Sequence, residues 1–257
     1  MGQQVTVNQD ERDSIAAQFG TATQQVQRDH LISHVLAFLS EQFGDRIHFI
    51  GGTALARTHL PGGRLSEDID LIAVGSRKDL ANHLDRVLPR SVSRTHGRLT
   101  IEPGLSDVPE AAPVLLRPAD GASVRLQLLS PRERVIWPTE RRQLVQRYTD
   151  APPAELLVPT LPAFAASKTA TWFDRGAPRD LWDLWALAAA GAINAASAAL
   201  FRKFGPTNKY PAPYIFRDPP SDAAWSAQLA GQTRLTVSAR EALDVVREAW
   251  ERAVAEA

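Results

Sequence analysis

Phe49-Ile50-Gly51-Gly52-Thr53-Ala54-Leu55, followed closely by Arg64-Leu65-Ser66-Glu67-Asp68-Ile69-Asp70-Leu71, decides how the rest of the chain is read. Residues 46–50 (Arg-Ile-His-Phe-Ile) have the character of a short apolar strand that runs straight into the glycine pair. Ala54 to Leu60 reads as a helix stopped by Pro61-Gly62-Gly63. Ile69, Leu71 and Ala73 then alternate with Asp68, Asp70 and Ile72 as a second strand. Two positions apart on a strand, Asp68 and Asp70 project from the same face. Paired carboxylates repel each other unless a cation lies between them, and hard oxygen ligands suit Mg2+ or Mn2+. Gly51 and Gly52 sit between a strand and a helix, where a backbone without side chains can approach a phosphate. The helix N-terminus that follows offers free N–H groups, and Thr53 adds a hydroxyl. A lone Asp-x-Asp is most often a pair of solvated acids, and a lone Gly-Gly is most often only a turn. Their succession within twenty residues is far more specific, and it describes a site for a nucleoside triphosphate. Alternation also puts Ser66 on the face of Asp68 and Asp70, where its hydroxyl would reach a phosphate or a carboxylate.

Working outward, residues 24–43 read as an amphipathic helix with Leu31, Val35, Phe38, Leu39 and Phe43 at helical spacings. Ser76 with Asp79 caps a helix carrying Leu80, Leu84 and Val87. Strands are expected at 98–102, 114–117 and 123–129. Ser130-Pro131-Arg132-Glu133 combines a cap, a first-turn proline and an acid at the third helical position, so a helix is expected to begin there. From that point the pattern reads as helical almost to the end, with breaks at 151–153, 176–178, 191 and the proline-rich 206–220. A last helix starts at Ser238, with Glu241 as its capping partner, and buries Leu243, Val246 and Trp250. The expected organisation is an α/β half over 1–150 and a helical half over 151–257. The loop 206–220 offers Lys209, Tyr210, Tyr214 and Arg217 for contact, and loops of that length are usually functional or mobile.

The 257 residues contain 44% hydrophobic and 23% charged residues, which excludes a generally disordered chain. With no cysteine, disulfides and thiolate metal sites are excluded, and a reducing compartment fits. No apolar run approaches the roughly 20 residues that cross a bilayer, and the first residues are polar and acidic, so a cytoplasmic protein with no membrane partner is expected. Net charge is zero, yet residues 1–45 carry a net of −4 and residues 86–147 a net of +5, with eleven arginines in the latter. Such a basic region is what phosphate contacts to RNA require, although arginine-rich solvated surfaces are also common.

Gly51-Gly52-Thr53-Ala54-Leu55 with Arg64-x-Ser66-Glu67-Asp68-Ile69-Asp70-Leu71 closely resembles the AbiEii-type toxin nucleotidyltransferase family, MenT-like and similar to the DNA polymerase β superfamily. Ala166-Ser167-Lys168, Arg175-Gly176 and Arg179-Asp180-Leu181-Trp182-Asp183-Leu184 are counterparts of the family's second half. The resemblance runs from about residue 24 to 190. It implies an α+β fold, with a polymerase β-like nucleotidyltransferase core and a small mixed sheet followed by a helical C-terminal lobe that contributes a lysine and an acid to the site. It implies that Asp68 and Asp70 hold the catalytic metal, that Lys168 faces the triphosphate, and that Asp180 is the later catalytic acid, with Gly51, Gly52, Thr53 and Ser66 binding nucleotide. It further implies a toxin that moves a nucleoside monophosphate from a nucleoside triphosphate to an RNA, foremost the tRNA 3′ end, and that is countered by a cognate antitoxin. One departure concerns Gln127, which stands where the superfamily usually places a third carboxylate; Glu102 or Asp180 would then fill that role, or one metal binds weakly.

The local residues leave plainer readings open. Lys168 has small neighbours in Ala165, Ala166 and Ala170, which leave room for a ligand, yet it could be an ordinary surface lysine. Asp180 could simply favour the dipole of a helix starting at Pro178, and Asp183 could pair with Arg179. The six histidines show no metal-binding cluster, and the six tryptophans are read as mainly core. Two other functions compete: a non-catalytic nucleotide-binding module, and transfer of the nucleotide to a protein. An Asp-x-Asp glycosyltransferase would give no reason for Gly51-Gly52-Thr53.

Overall fold

The computed structural model describes residues 7–110, 112–119, 121–132 and 135–257. In chain order they form α1 (Gln9–Phe19), α2 (Thr23–Phe43), β1 (Ile47–Ile50), α3 (Gly51–Arg57), β2 (Asp68–Ala73), α4 (Arg77–Val87), β3 (Thr100–Ile101), β4 (Val114–Arg117) and β5 (Val124–Leu129). There follow β6 (Thr139–Gln143), β7 (Glu155–Pro159), α5 (Leu161–Arg175), α6 (Pro178–Ala189), α7 (Ala195–Phe204), α8 (Asp222–Leu229) and α9 (Ala239–Ala255). Two compact units divide the chain. The first takes the described residues up to Ile136 together with Glu140–Val158, and the second takes Trp137–Thr139 with Pro159–Ala257.

The first unit is built on a mixed seven-stranded sheet of order β3-β4-β5-β2-β1-β7-β6. At its centre β2 runs antiparallel to β1 and parallel to β5. Leu126 and Leu128 of β5 and Ile69 and Leu71 of β2 are fully buried, each worth about 1.5–3 kcal/mol of transfer free energy. This alternation pins the register, because a one-residue slip would drive Asp68 and Asp70 into the core. Against the sheet, α2 is buried on nearly every side over residues 29–37 rather than along one stripe, while Phe38, expected in that stripe, is only half-buried. Its core-facing polar groups therefore need partners, and they find them in the ionic contacts described below.

The expected helix from Ser130 does not form among the described residues; the cap's third-position acid, Glu133, lies outside them. Residues 139–143 and 155–159 are strands instead. A cap and a proline mark where a helix could begin, but Thr-Glu-Arg-Arg-Gln has no apolar face for a helix to bury. Its exposed charges suit the sheet edge it occupies, where they block pairing with another chain. In β7, Leu156 and Val158 alternate into the core.

In the second unit α5, α6, α7 and α9 pack on one another. Gly176 closes α5 in the left-handed region at φ 57°, and Pro178 opens α6. Ser238 and Glu241 form the expected reciprocal cap of α9. Trp172, Trp182, Trp225 and Trp250 are all buried, as a core role requires. The stretch 206–220 is anchored at its middle: Phe216 is buried and the Trp172 indole N–H donates to the Ile215 carbonyl at 2.8 Å. Lys209, Tyr214 and Arg217 remain exposed, while Tyr210 is half-buried.

Candidate active site

Strand β1 ends at Ile50, whose register partner is Asp70, so the chain turns into α3 directly beside that carboxylate. Gly51 has a φ of 80°, and a Cβ built there would overlap the Asp70 carboxylate. A Cβ on Gly52 would meet the Arg64 guanidinium at 2.5 Å and the Ser66 hydroxyl at 3.1 Å. Gly51 is required by its positive φ and by close approach, a Cβ on Gly52 would displace the Arg64 guanidinium, and their turn is held against a carboxylate, a cation and a hydroxyl. Ser66 is buried next to this turn, but it precedes β2 rather than lying on it, because the strand opens only at Asp68. Thr53 is buried, and its hydroxyl donates to the Asp68 carbonyl, tying α3 to the start of β2.

Asp68 and Asp70 are half-buried on one face of β2, with Ile69 buried between them on the other. Opposite them on β5 stand Arg125, in register with Asp68, and Gln127, in register with Asp70. The Arg125 guanidinium grips Asp68 with a two-pronged contact of 2.7 and 2.9 Å, the geometry at which arginine binds carboxylates best. The hydrogen bond to Asp68 and its negative charge raise the Arg125 pKa further above its already high value. A guanidinium therefore balances the charge of Asp68, and the two acids with Gln127 offer oxygen donors of the kind that Mg2+ or Mn2+ takes. Alternation along 123–129 pointed to Gln127; it pointed equally to Arg125, two residues earlier on the same face. Glu102 lies past the end of β3.

Lys168 and Asp180, separated by a helix junction, come together in the second unit. Lys168 is buried on α5, with Nζ 2.6 Å from Asp183 Oδ2 and 3.6 Å from Asp180 Oδ1. Arg175 clasps the completely buried Asp180 through two bonds of 2.7 and 3.0 Å. Asp183 thus pairs with Lys168, not with Arg179 as the sequence had suggested. Two cations and two carboxylates compensate each other, so Lys168 is neither an ordinary surface lysine nor a free one: its direction is set.

The described arginines of region 86–147 are exposed, Arg147 excepted, and so available to a polyanion. The expectation of no histidine cluster is overturned: His30, His34 and Asp150 bring one potential ligand atom each within 4.8 Å of the others, with His96 adjoining. Asp150 is far from both histidines in sequence, and no spacing rule connects them. Burial first and His30 second hold His34 below the usual histidine range. Burial, His30 and His34 push His96 down to about 3. Burial works to raise the Asp150 carboxyl, but the hydrogen bonds and charge of His30 and His34 outweigh it and hold it low.

No helix is long and apolar enough to cross a membrane among the described residues. A search of the curated proteins found no match. Among solved structures, the chain is similar to the nucleotidyltransferase toxin MenT4 of Mycobacterium tuberculosis, with a TM-score of 0.69 and 19% identity over 95% of this chain and 89% of that one. It is also similar to an H. pylori protein assigned as a nucleotidyltransferase, with a TM-score of 0.51 and 16% identity over 90% and 94% of the two chains. These likenesses establish the fold. The family model described as "Nucleotidyl transferase AbiEii toxin, Type IV TA system" matches residues 36–256, and the chain belongs to that family of toxin nucleotidyltransferases.

Proposed function

We propose that this nucleotidyltransferase carries a nucleoside monophosphate from a nucleoside triphosphate to an RNA acceptor, foremost the tRNA 3′ end, and so blocks translation in the cytoplasm until an antitoxin counters it. The observation that carries the reading is the pairing of Asp68 and Asp70 on one strand face beside the Gly51-Gly52 turn. Asp68 and Asp70 would hold Mg2+ or Mn2+, with Gln127 as a neutral neighbour in place of a third acid. When bound, such an ion supplies positive charge for the triphosphate and eases ionisation of the attacking 3′-hydroxyl.

The chain's own residues account for the rest. Gly51 and Gly52 admit a phosphate close to backbone, with Arg64 and Ser66 beside them as donors. Arg125 holds Asp68 in place and is a second cation for the phosphates. Lys168, aimed by Asp183 and Asp180, would neutralise charge on the departing pyrophosphate. The complete burial of Asp180 suits a positioning role through Lys168 more than direct proton transfer. The exposed arginines of 86–147 and the side chains of 206–220 would bind the RNA backbone, a contact that weakens with added salt.

Incubation with Mg2+, each labelled nucleoside triphosphate, total RNA and a bacterial protein extract tests the reading. Label on tRNA 3′ ends supports it. Label on protein replaces the acceptor, and bound but unchanged nucleotide reduces the chain to a binding module. In this assay Lys168→Ala is expected to lower kcat by about 2.7–4 kcal/mol of transition-state stabilisation, as for loss of one preorganised donor. A change confined to RNA affinity would contradict its assignment to the triphosphate, and the melting temperature controls for loss of the Lys168–Asp183 ion pair. Ser66→Glu places a carboxylate beside Gly52 and two acids and is expected to suppress transfer, while Ser66→Ala reduces it only partly; phosphorylation there would act in the same direction with a charge of about −1.5 to −2. Full activity of the Glu variant at subsaturating Mg2+ and nucleotide would put the Ser66 hydroxyl outside the site.

A further inference from the structure

We infer that His30, His34 and Asp150 form a second metal site, for a divalent transition-metal ion of the zinc kind, separate in position and chemistry from the Asp68–Asp70 pair. His30 and His34 lie one turn apart on α2, both buried, and Asp150 reaches them from the segment between β6 and β7. Asp150 Oδ2 is 3.1 Å from His30 Nε2 and 3.3 Å from His34 Nε2, and the two Nε2 atoms are 3.3 Å apart. A tetrahedral Zn2+ with ligands at about 2.0–2.1 Å separates them by about 3.3 Å. The three atoms therefore already stand at the edge lengths of such a coordination shell.

The hydrogen bonds behind them point the same way. The Thr95 hydroxyl donates to the Val92 carbonyl at 3.3 Å, which leaves its oxygen to accept from His96 Nδ1–H at 3.0 Å. His96 Nε2 is then bare and accepts from His30 Nδ1–H at 3.0 Å. His30 thus presents Nδ1–H to His96 and turns its Nε2 toward a carboxylate and a second imidazole. A proton on His30 Nε2 or a metal ion at the centre would each satisfy this meeting of two imidazole nitrogens and a carboxylate, and we assign the ion. An imidazole whose other nitrogen donates to a fixed acceptor is the usual arrangement around a bound metal, and His96 supplies that acceptor here. Imidazole nitrogen favours Zn2+ and its first-row neighbours, whereas Mg2+ favours oxygen.

Access is provided at one side. The His30 and His34 side chains are 2% and 7% exposed, but that of Asp150 is 30% exposed, so an ion can enter past it and keep water as a fourth ligand. The bound ion would staple the central helix α2 to the 144–154 segment, and through His96 to the segment before β3. Its role is to stabilise the first unit rather than to take part in nucleotidyl transfer.

The full-length protein, stripped with a chelator and titrated with Zn2+ alone, tests this. One equivalent is expected to bind with a Kd of about 1 µM or tighter and to raise the melting temperature by several degrees, an effect reversed by chelator. His34→Gln and Asp150→Asn are each expected to lose at least about tenfold in affinity together with the thermal shift, and His96→Gln to keep the 1:1 stoichiometry with about 10–100-fold weaker binding. The half-exposed Asp150 makes Asp150→Asn the variant that decides if His34→Gln fails to fold. Asp68→Asn/Asp70→Asn should bind Zn2+ like the wild type. Absence of saturable 1:1 binding, an equal shift with Mg2+, undiminished binding in Asp150→Asn, or loss of binding in the Asp68/Asp70 variant would each overturn the assignment.

Discussion

Asp68→Ala is expected to lower nucleotidyl transfer by at least about a thousandfold, on the order of 4 kcal/mol of barrier at 1.36 kcal/mol per decade. Its carboxylate is one of the two that share the β2 face, and removing it leaves Asp70 alone to hold a cation. The fold is expected to survive. The Asp68 and Arg125 side chains are 27% and 47% exposed, and a pair so open to water contributes about 0–1 kcal/mol. The Thr53 contact uses the Asp68 backbone carbonyl and persists in the variant. The measurement is incorporation of labelled nucleotide into RNA across an Mg2+ series, beside a thermal melt. Transfer at wild-type rate in a folded variant would remove the proposed centre altogether.

The largest loss of stability is expected from Arg57→Ala. Arg57 ends α3 with a fully buried guanidinium that donates to Asp29 Oδ1 at 2.8 Å, to the Asp29 carbonyl at 2.9 Å and to the Val145 carbonyl at 2.9 Å. Tyr148 adds a hydroxyl bond to Asp29 Oδ2 at 3.1 Å and another to the Val26 carbonyl at 3.0 Å. Burial draws the Arg57 pKa down to about 10 against the support of Asp29, so it remains charged at neutral pH. Burial, followed by the charge of Asp29, pushes the Tyr148 phenol upward. Removing the arginine leaves the buried Asp29 carboxylate with only the Tyr148 hydroxyl and the more distant Arg147 at 3.5 Å, and takes a donor from two carbonyls, at a cost of about 3–5 kcal/mol. For a chain of this length the melting temperature should fall by on the order of 10 °C. The double variant Asp29→Leu/Arg57→Met should lose clearly less than the sum of the single losses, since the members of one network are not additive. Additive losses, or an unmoved melting temperature in Arg57→Ala, would show that the pair does not brace α3. Because α3 starts at Gly51, its loosening should also weaken nucleotide binding.

Local chemistry made several elements legible. Ser76 with Asp79 and Ser238 with Glu241 mark helix starts by bonds to backbone a few residues away, Gly176 ends a helix in the left-handed region and Pro178 starts the next through its fixed φ, and those ends stand where the sequence puts them. The strand at 114–117 follows the alternation, and so does the shared face of Asp68 and Asp70. The helix expected at Ser130 is absent among the described residues for the complementary reason. A cap lowers the cost of starting a helix but supplies no buried face to sustain one, and β7 pairs with β1 inside the sheet while β6 pairs with β7 at its edge instead.

What the sequence by itself determined is the series strand, Gly-Gly turn, helix, Asp-x-Asp strand, because period-two alternation and glycine's missing Cβ act within a few residues. Only the tertiary structure decided the partners. Arg125 meets Asp68 through the β2–β5 register, Lys168 meets Asp183 across the α5–α6 junction, and Asp150 meets His30 and His34 across more than a hundred residues. Each of these encounters joins charges or lone pairs that sequence spacing does not relate. Buried polar groups must be satisfied, but which partner satisfies them depends on how the chain returns to the same point in space.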